Sequence, residues 1–151
     1  MSQENAFMRV KYRKVIHNIL RKLHPKELMA ESFTVRGFGT NLIELVGIML
    51  GSMQAFCSIL GIKEQTVMPS SWKGEFGKKF GKEELQKLYD YARTYGVPPH
   101  TVDALCLALY SKDKRSFSNT SKTLLLQNTK KAATLIQPEW KIKPKRVKKS
   151  K

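Results

Sequence analysis

The sequence is poor in acidic residues and in cysteine, and each shortage narrows the classes of protein to which it can belong. Only 12 Asp and Glu stand against 28 Lys and Arg, which gives a formal charge of +16. Such a balance favours a polyanionic partner, most often nucleic acid. The two cysteines, Cys57 and Cys106, do not form a CxxC pair. This argues against a disulfide framework and predicts reduced, buried thiols in a cytoplasmic protein.

Three familiar sequence signals are also missing. Residues 1–8 contain no apolar segment followed by a cleavage site, so the sequence predicts no secretory targeting. No Ser or Thr follows a Gly-Lys pair, which excludes a phosphate-binding P-loop. Internal repeats are absent as well.

The chain is nevertheless long and apolar enough to fold, with 151 residues of which 41% are hydrophobic. Seven of its cations lie in residues 141–151, and the remaining residues still carry a net positive charge. A basic body with a basic tail is typical of nucleic-acid binding. A basic ribosome-associated or RNA-binding protein is the plainer alternative.

The segment Pro25–Ile62 organises the chain. It predicts a short strand, Leu28–Val35, then a turn through Arg36, and then a long apolar helix, Asn41–Leu60. Glu31 lies within the apolar strand, where a carboxylate is costly unless it is paired or holds a metal. The helix is apolar on nearly all sides, which is typical of a helix buried in a core or in a membrane.

A membrane-spanning helix is the alternative for Asn41–Leu60. Its length is sufficient, and Gly47 with Gly51 forms a GxxxG pair. Glu44 and Gln54 interrupt the apolar run, and the helix has no flanking aromatic belt. We therefore expect a buried core helix and no membrane partner.

The remaining elements follow from periodicity and from Pro and Gly. A second short strand is expected to pair in parallel with the first, as a βαβ unit. The predicted elements are a helix over 5–23, the strand at 66–68, helices over 82–95 and 100–110, a helix or irregular arm over 122–136, and a disordered basic tail from 138.

Residues 70–81 are predicted to be a turn followed by a mobile loop rich in Gly and Lys. Ligands of open α/β sheets bind at the carboxyl ends of strands, so Lys73 in this turn is a candidate phosphate contact. An equally good interpretation is that Lys73 is a solvated loop lysine that contacts no ligand. The loop lysines Lys78, Lys79 and Lys82, together with Arg36, are further candidates for contact with a nucleic-acid backbone.

Two acids stand apart from those on exposed faces, namely Glu31 in its strand and Asp103 among apolar residues. His100 precedes Asp103 by three residues, so both project from one side of a helix. Carboxylates are the ligands that Mg²⁺ prefers, and two such metals suit attack on a phosphodiester. We predict that Glu31, His100 and Asp103 converge on one metal site. The alternative is that Asp103 caps its helix and His100 is a loop residue.

A helix-turn-helix over residues 85–110 is a further possibility for DNA binding. Its second helix is almost wholly apolar, whereas a recognition helix must present polar groups to the bases. This segment is therefore predicted to belong to the core.

Four stretches, in order, resemble the RuvC-like Holliday-junction resolvases of the RNase H-like superfamily, over roughly residues 10–112. The resemblance lies in Pro25-Lys-Glu-Leu-Met-Ala-Glu31, Asn41–Phe56, Val67-Met-Pro69-Ser-Ser-Trp72-Lys73 and His100-Thr-Val-Asp103-Ala104-Leu105.

The resemblance implies an α/β fold, with an RNase H-like (RuvC-type) sheet flanked by helices. It implies a nuclease core over 1–112, followed by an arm over 113–137 and the tail over 138–151. Glu31, His100 and Asp103 would be ligands of Mg²⁺ or Mn²⁺, and Lys73 would face phosphate. The implied activity is structure-selective hydrolysis of Holliday junctions or other branched DNA by a homodimer.

The sequence departs from this family at its N-terminus. The family begins with a strand that carries an essential aspartate, followed by two further strands, and no such segment precedes Glu27. We therefore expect an N-terminally truncated sheet. The first metal ligand would then come from a second polypeptide that carries the missing strands, or the chain would be a noncatalytic DNA-binding relative.

Overall fold

The computed structural model describes residues 3–32 and 40–144, and their side chains over 10–32 and 43–144. Arg36, one of the candidate contacts, lies outside the described residues. In chain order the elements are α1 (Gln3–Leu23), β1 (Glu27–Glu31), α2 (Thr40–Leu60), β2 (Lys63–Val67), α3 (Pro69–Phe80), α4 (Glu84–Thr94), α5 (Pro99–Lys112), α6 (Ser121–Leu135) and a single 3₁₀ turn (Pro138–Trp140).

The predicted RNase H-like fold is wrong. Over the residues that the structure describes, the chain is 70% helical, and its only sheet is the parallel pair β1–β2. The parallel βαβ arrangement of β1, α2 and β2 is thus confirmed, whereas a sheet flanked by helices is not seen. The physical reason is that the apolar residues of all other segments recur every three to four residues. This spacing places them on one face of a helix, whereas one face of a strand takes every second residue.

The chain divides into two units, Met1–Thr66 and Val67–Lys151. In the first unit, α1 packs on α2 around the buried residues Leu20, Cys57 and Ile62. Partly buried side chains complete this cluster, namely Ile16, Leu28, Phe56 and Leu60. The ring of His17 lies 4.8 Å from that of Phe56, so His17 helps to pack the helices together.

Helix α2 is less covered than its apolar sequence predicts. Within residues 43–60 only Cys57 is buried, and Ile59 is 76% exposed. This window has a mean hydropathy of 1.7, so α2 is the one described helix that is long and apolar enough to cross a membrane. The prediction that α2 is a fully buried core helix is therefore wrong for the single chain.

Helix α3 replaces the turn and mobile loop that residues 70–81 were predicted to form. Pro69 begins the helix, where its missing N–H and fixed φ cost nothing. Trp72 and Phe76, one turn apart, are buried. Gly81 ends the helix with a φ of 109°, a conformation that residues with a side chain rarely adopt. Burial of two large aromatic side chains outweighs the weak helix propensity of the glycines.

The second unit is a helical core built around these aromatic residues. The ring of Phe76 lies 5.0 Å from Phe80 and 5.3 Å from Phe117, and Tyr110 lies 5.5 Å from Phe117. Helix α5 contributes five buried residues, more than any other described helix, which confirms that it is a core helix and not a recognition helix. Its buried residues are Val102, Cys106, Leu107, Leu109 and Tyr110.

The beginning of the predicted disordered tail is ordered by the loop between α4 and α5. Ile142 N–H donates a hydrogen bond to the carbonyl oxygen of Gly96 at 3.0 Å, and Arg93 Nε donates to that of Lys143 at 3.2 Å. Gly96 has a φ of 73°, and a Cβ atom there would lie 3.1 Å from Cβ of Lys141. Only glycine satisfies both the backbone conformation and this close approach.

The carboxylate of Glu84 connects α4 to α6, and it makes stability depend on pH. Lys122 donates a hydrogen bond to Oε2, and Lys87 Nζ lies 2.7 Å from Oε1. These bonds, that from Lys122 first, lower the pKa of Glu84 to about 2. Because this pKa lies below that of an unfolded glutamate, the stabilisation is present above about pH 4.5. It is lost as the pH falls from there to about 2.

We therefore expect the Glu84→Gln variant to be less stable than the unmodified protein at pH 7, and the difference to disappear near pH 2. Thermal unfolding across this range measures it. The control is Glu83→Gln, which removes a neighbouring charge and leaves both ion pairs of Glu84 in place. A difference that stayed constant down to pH 2 would contradict the assignment.

Candidate nucleic-acid interface

Helix α3 positions the predicted lysines by anchoring its other face in the core. Trp72 and Phe76 lie inward, so Lys73 and Gly77, each the next residue along the helix, lie at the edge of the buried face, whereas the side chain of Lys78 is 76% exposed. Lys73 Nζ lies 5.3 Å from the centre of the Trp72 ring, within the range of a cation–π contact. The side chain of Lys73 is thus held close to the protein surface rather than left to move freely in solvent.

A cavity of about 420 Å³ opens beside this edge of α3. Lys73, Lys78 and Lys82 line it. The rest of its lining is apolar or lacks a side chain, and consists of Gly74, Phe76, Gly77 and Leu85. Three of the four described lysines that the sequence predicts to contact nucleic acid therefore share one cavity. The fourth, Lys79, is exposed on α3 and is not part of the lining.

Lys78 is the lysine of this group that has an acidic partner on its own helix. Its Nζ lies 2.8 Å from Oε1 of Glu75, one turn away. The hydrogen bond to Glu75 raises the pKa of Lys78, so the ammonium stays charged over the whole physiological range. Both side chains are exposed, and such pairs contribute little to stability.

Asp103 does not cap its helix. Pro98 is the N-cap of α5, and Asp103 lies in the helix, half-buried. Tyr89 of α4 donates a hydrogen bond from its hydroxyl group to Oδ1 of Asp103. His100 lies in the first turn of the same helix and is exposed, so it is not a loop residue either. Asp103 is thus held in place by a neighbouring helix, whereas His100 faces solvent.

The buried thiol of Cys106 lies within range of the charges of both Asp103 and Lys73. Burial first, and the charge of Asp103 second, raise the pKa of the Cys106 thiol, whereas the charge of Lys73 lowers it, and the net pKa is about 12. Both charges therefore act on the same thiol. The thiol itself stays protonated and chemically inert at neutral pH, and Cys57 is free and buried as well.

Glu31, the remaining predicted metal ligand, is the last residue of β1 in the first unit and is half-buried. His100 and Asp103 belong to the second unit. Among the side chains described, no group of three or more His, Cys, Asp or Glu could hold a metal ion. The described residues therefore do not by themselves fit the implied metal site, and Mg²⁺ or Mn²⁺ stays a prediction.

Tyr89 is the site residue that the sequence analysis did not identify. A signal was available. Tyr89 and Asp103 lie seven residues before and after Gly96, the turn of a helical hairpin. Residues equally distant from such a turn face each other when the two helices pack antiparallel.

Comparison with known proteins adds no family to this description. No protein-family model matches the chain, and no curated protein or solved structure does so.

Proposed function

We propose that this chain is the DNA-binding subunit of a divalent-metal-dependent, structure-selective endonuclease that acts on Holliday junctions or other branched DNA. The observation that carries the proposal is the shared cavity of Lys73, Lys78 and Lys82. A group of lysines binds phosphates, and phosphodiester chemistry requires a positioned carboxylate, for which Asp103, bonded to Tyr89, is the candidate.

The overall charge supports the binding part of this proposal. With +16 on 151 residues, the chain attracts DNA over long distances and releases counterions on binding. Charge alone does not distinguish duplex from branched DNA. A cavity at the edge of a helix, rather than a flat basic surface, favours a substrate with a bend or a branch that can enter it.

The nuclease part rests on the resemblance of the four stretches and on the chemistry of Asp103. Tyr89 donates a hydrogen bond to the Asp103 carboxylate, and Lys73 would hold a backbone phosphate. Bound Mg²⁺ or Mn²⁺ would supply an activated water and neutralise the charge that develops on the phosphate. Of the predicted ligands, His100 and Asp103 lie three residues apart on α5, and the described residues add no third such side chain to them.

A homodimer suits this substrate, because a four-way junction has two equivalent pairs of strands. Each copy would then contact one strand of a symmetric pair. A noncatalytic DNA-binding protein would use the same lysines without the metal.

The test is binding and cleavage of a synthetic four-way junction, with a duplex of the same sequence as reference. We expect the junction to bind more tightly, with an affinity that falls steeply as salt is raised. Cleavage with Mg²⁺ or Mn²⁺, by the chain alone or with its partner polypeptide, should be lost in Asp103→Asn while binding is kept.

Asp90→Asn is the matched control for this variant, since Asp90 is exposed on α4 and should be dispensable. Equal affinity for junction and duplex would contradict selectivity for branched DNA. If the chain bound the junction and metal-dependent cleavage was not seen with any partner, the result would indicate a noncatalytic DNA-binding protein.

A further inference from the structure

The second unit exposes two aromatic side chains beside its C-terminal segment. Tyr95 is 39% exposed and Trp140 is 65% exposed. Tyr95 directly precedes Gly96, and Trp140 directly precedes Lys141. A Cβ atom at Gly96 would lie 3.1 Å from Cβ of Lys141, so the two aromatic residues adjoin one contact on the surface. Aromatic side chains gain much from burial, and two that are exposed together indicate a surface that a ligand can cover.

The backbone that carries Trp140 is held in place. Trp140 ends a 3₁₀ turn, in which its N–H donates a hydrogen bond to the carbonyl oxygen of Gln137 at 2.9 Å. The bond from Ile142 to Gly96 then holds the segment against the end of α4. The chain thus orders this segment while it leaves the indole in solvent. A ligand of the indole would not have to order the backbone beneath it, which favours binding.

Tyr95 is fixed by side chains from two helices. Its ring packs against that of Tyr91, one turn earlier in α4, with the ring centres 5.2 Å apart and the planes inclined by 61°. Lys130 of α6 places its Nζ 5.9 Å from the centre of the Tyr95 ring, at the outer limit of a cation–π contact. Lys130 is exposed, so a cation and an aromatic ring lie side by side at the surface.

Cations lie on each element that carries or adjoins the aromatic pair. Arg93 and Lys130 belong to α4 and α6, and Lys141 and Lys143 belong to the C-terminal segment. In this segment Glu139 is the one acid among the described residues. The sequence after residue 144 adds five cations and no acid. A ligand of this surface should therefore be anionic as well as flat and apolar, which is the chemistry of a nucleotide chain.

We propose that this surface binds a single-stranded arm of the branched DNA. Unpaired bases stack on the rings of Tyr95 and Trp140, and the neighbouring lysines contact the phosphates that connect these bases. A base within a duplex is stacked on both faces, so only a single strand can offer its bases to exposed rings. This inference rests on the proposed function and adds the class of substrate, a branch with one single-stranded arm.

The experiment compares the binding of the full chain to three four-way junctions by fluorescence anisotropy. Three arms are identical duplexes. The fourth arm is paired in the first junction, a single strand of thymidines in the second and an abasic strand of the same length in the third. We expect the thymidine arm to bind about tenfold more tightly than the abasic arm, because the two have the same phosphates and differ only in their bases.

Trp140→Ala should lower the affinity for the thymidine arm to that for the abasic arm. The variant is expected to fold because Trp140 is exposed, and thermal unfolding verifies this. Tyr12→Ala is the matched control, since Tyr12 is 37% exposed on a basic helix of the first unit, and it should keep the preference. The thymidine arm should also quench the fluorescence of Trp140, whereas the buried Trp72 should not respond.

Equal affinity of the unmodified protein for the thymidine and abasic arms would overturn the inference. If the paired four-way junction still bound more tightly than duplex, the proposed function would stand. A preference that persisted in Trp140→Ala would also overturn the inference, because the bases would then be recognised elsewhere on the chain. If neither the junctions nor the duplex bound, the inference and the proposed function would both fail.

Discussion

Reversing the charge of Lys73 and Lys82 together is expected to lower the affinity for DNA on the order of tenfold to a hundredfold. Both lysines line the cavity. Among the described contacts, neither has an ion pair like that of Lys78 with Glu75. Each lysine that neutralises a phosphate contributes about one to the slope of log affinity against log salt, so the slope should fall by about two.

The matched control is the double variant Lys112→Glu/Lys131→Glu. It changes the net charge of the chain by the same amount, on exposed lysines that do not line the cavity. Its affinity should fall much less, because only long-range attraction is lost. Binding isotherms at several salt concentrations measure both effects. Equal losses in the two double variants would show that the charge of the whole chain, and not the cavity, determines binding.

Truncation of Trp72 to alanine should destabilise the second unit by about 3–5 kcal/mol. Trp72 has 0% exposure, and it anchors α3 from the same face as Phe76. Removal of the indole leaves a void in the core that the neighbouring helices can fill only in part. Since α3 also positions Lys73, Gly74 and Gly77, the variant should lose DNA affinity along with stability.

Trp140→Ala is the control for this variant, because Trp140 is 65% exposed and surface substitutions change stability by about 0.5 kcal/mol or less. Urea unfolding followed by tryptophan fluorescence is a direct measurement, because both tryptophans of the chain belong to the second unit. In Trp140→Ala the signal comes from Trp72 alone. Similar midpoints for the two variants would contradict the assignment of Trp72 as the anchor.

The correction of the fold changes what the candidate site can be. An RNase H-like sheet would have brought Glu31, His100 and Asp103 together at one edge. The described structure instead has a two-stranded sheet in the first unit and a helical second unit that contains His100 and Asp103. The features that the second unit itself assembles are the lysine cavity and the pair of Tyr89 with Asp103. The proposed function is built on these features.

Several properties of this protein were determined by the sequence alone. Apolar residues at intervals of three and four predicted α1, α2, α4 and α5 to within a few residues. The two strands of the βαβ unit were found as well, although β1 ends at Glu31, short of the expected Val35, and β2 begins three residues earlier than expected. The excess of cations and the identity of the lysines near α3 were also evident. Periodicity and charge are local or additive properties, so they can be read without knowing which segments meet.

Tertiary structure decided the rest, and α3 is the clearest case. Glycines at 74 and 77 each cost a helix about 1 kcal/mol relative to alanine, so local propensity favoured a loop. Truncation of a buried Phe or Trp to alanine lowers the free energy of unfolding by about 3–5 kcal/mol, and α3 buries two such side chains, Trp72 and Phe76. The helix therefore forms because a core is present to receive these two rings, and the sequence of the segment does not reveal that core.

The bond of Tyr89 to Asp103 and the cavity between Lys73, Lys82 and Leu85 depend on the same kind of information. Each joins residues of different helices, and their meeting is set by where α3, α4 and α5 pack against one another. Packing angles and contact points follow from the shapes of many side chains at once, whereas helical periodicity specifies only which face is turned inward. The sequence therefore determined which residues could act, and only tertiary structure decided which of them act together.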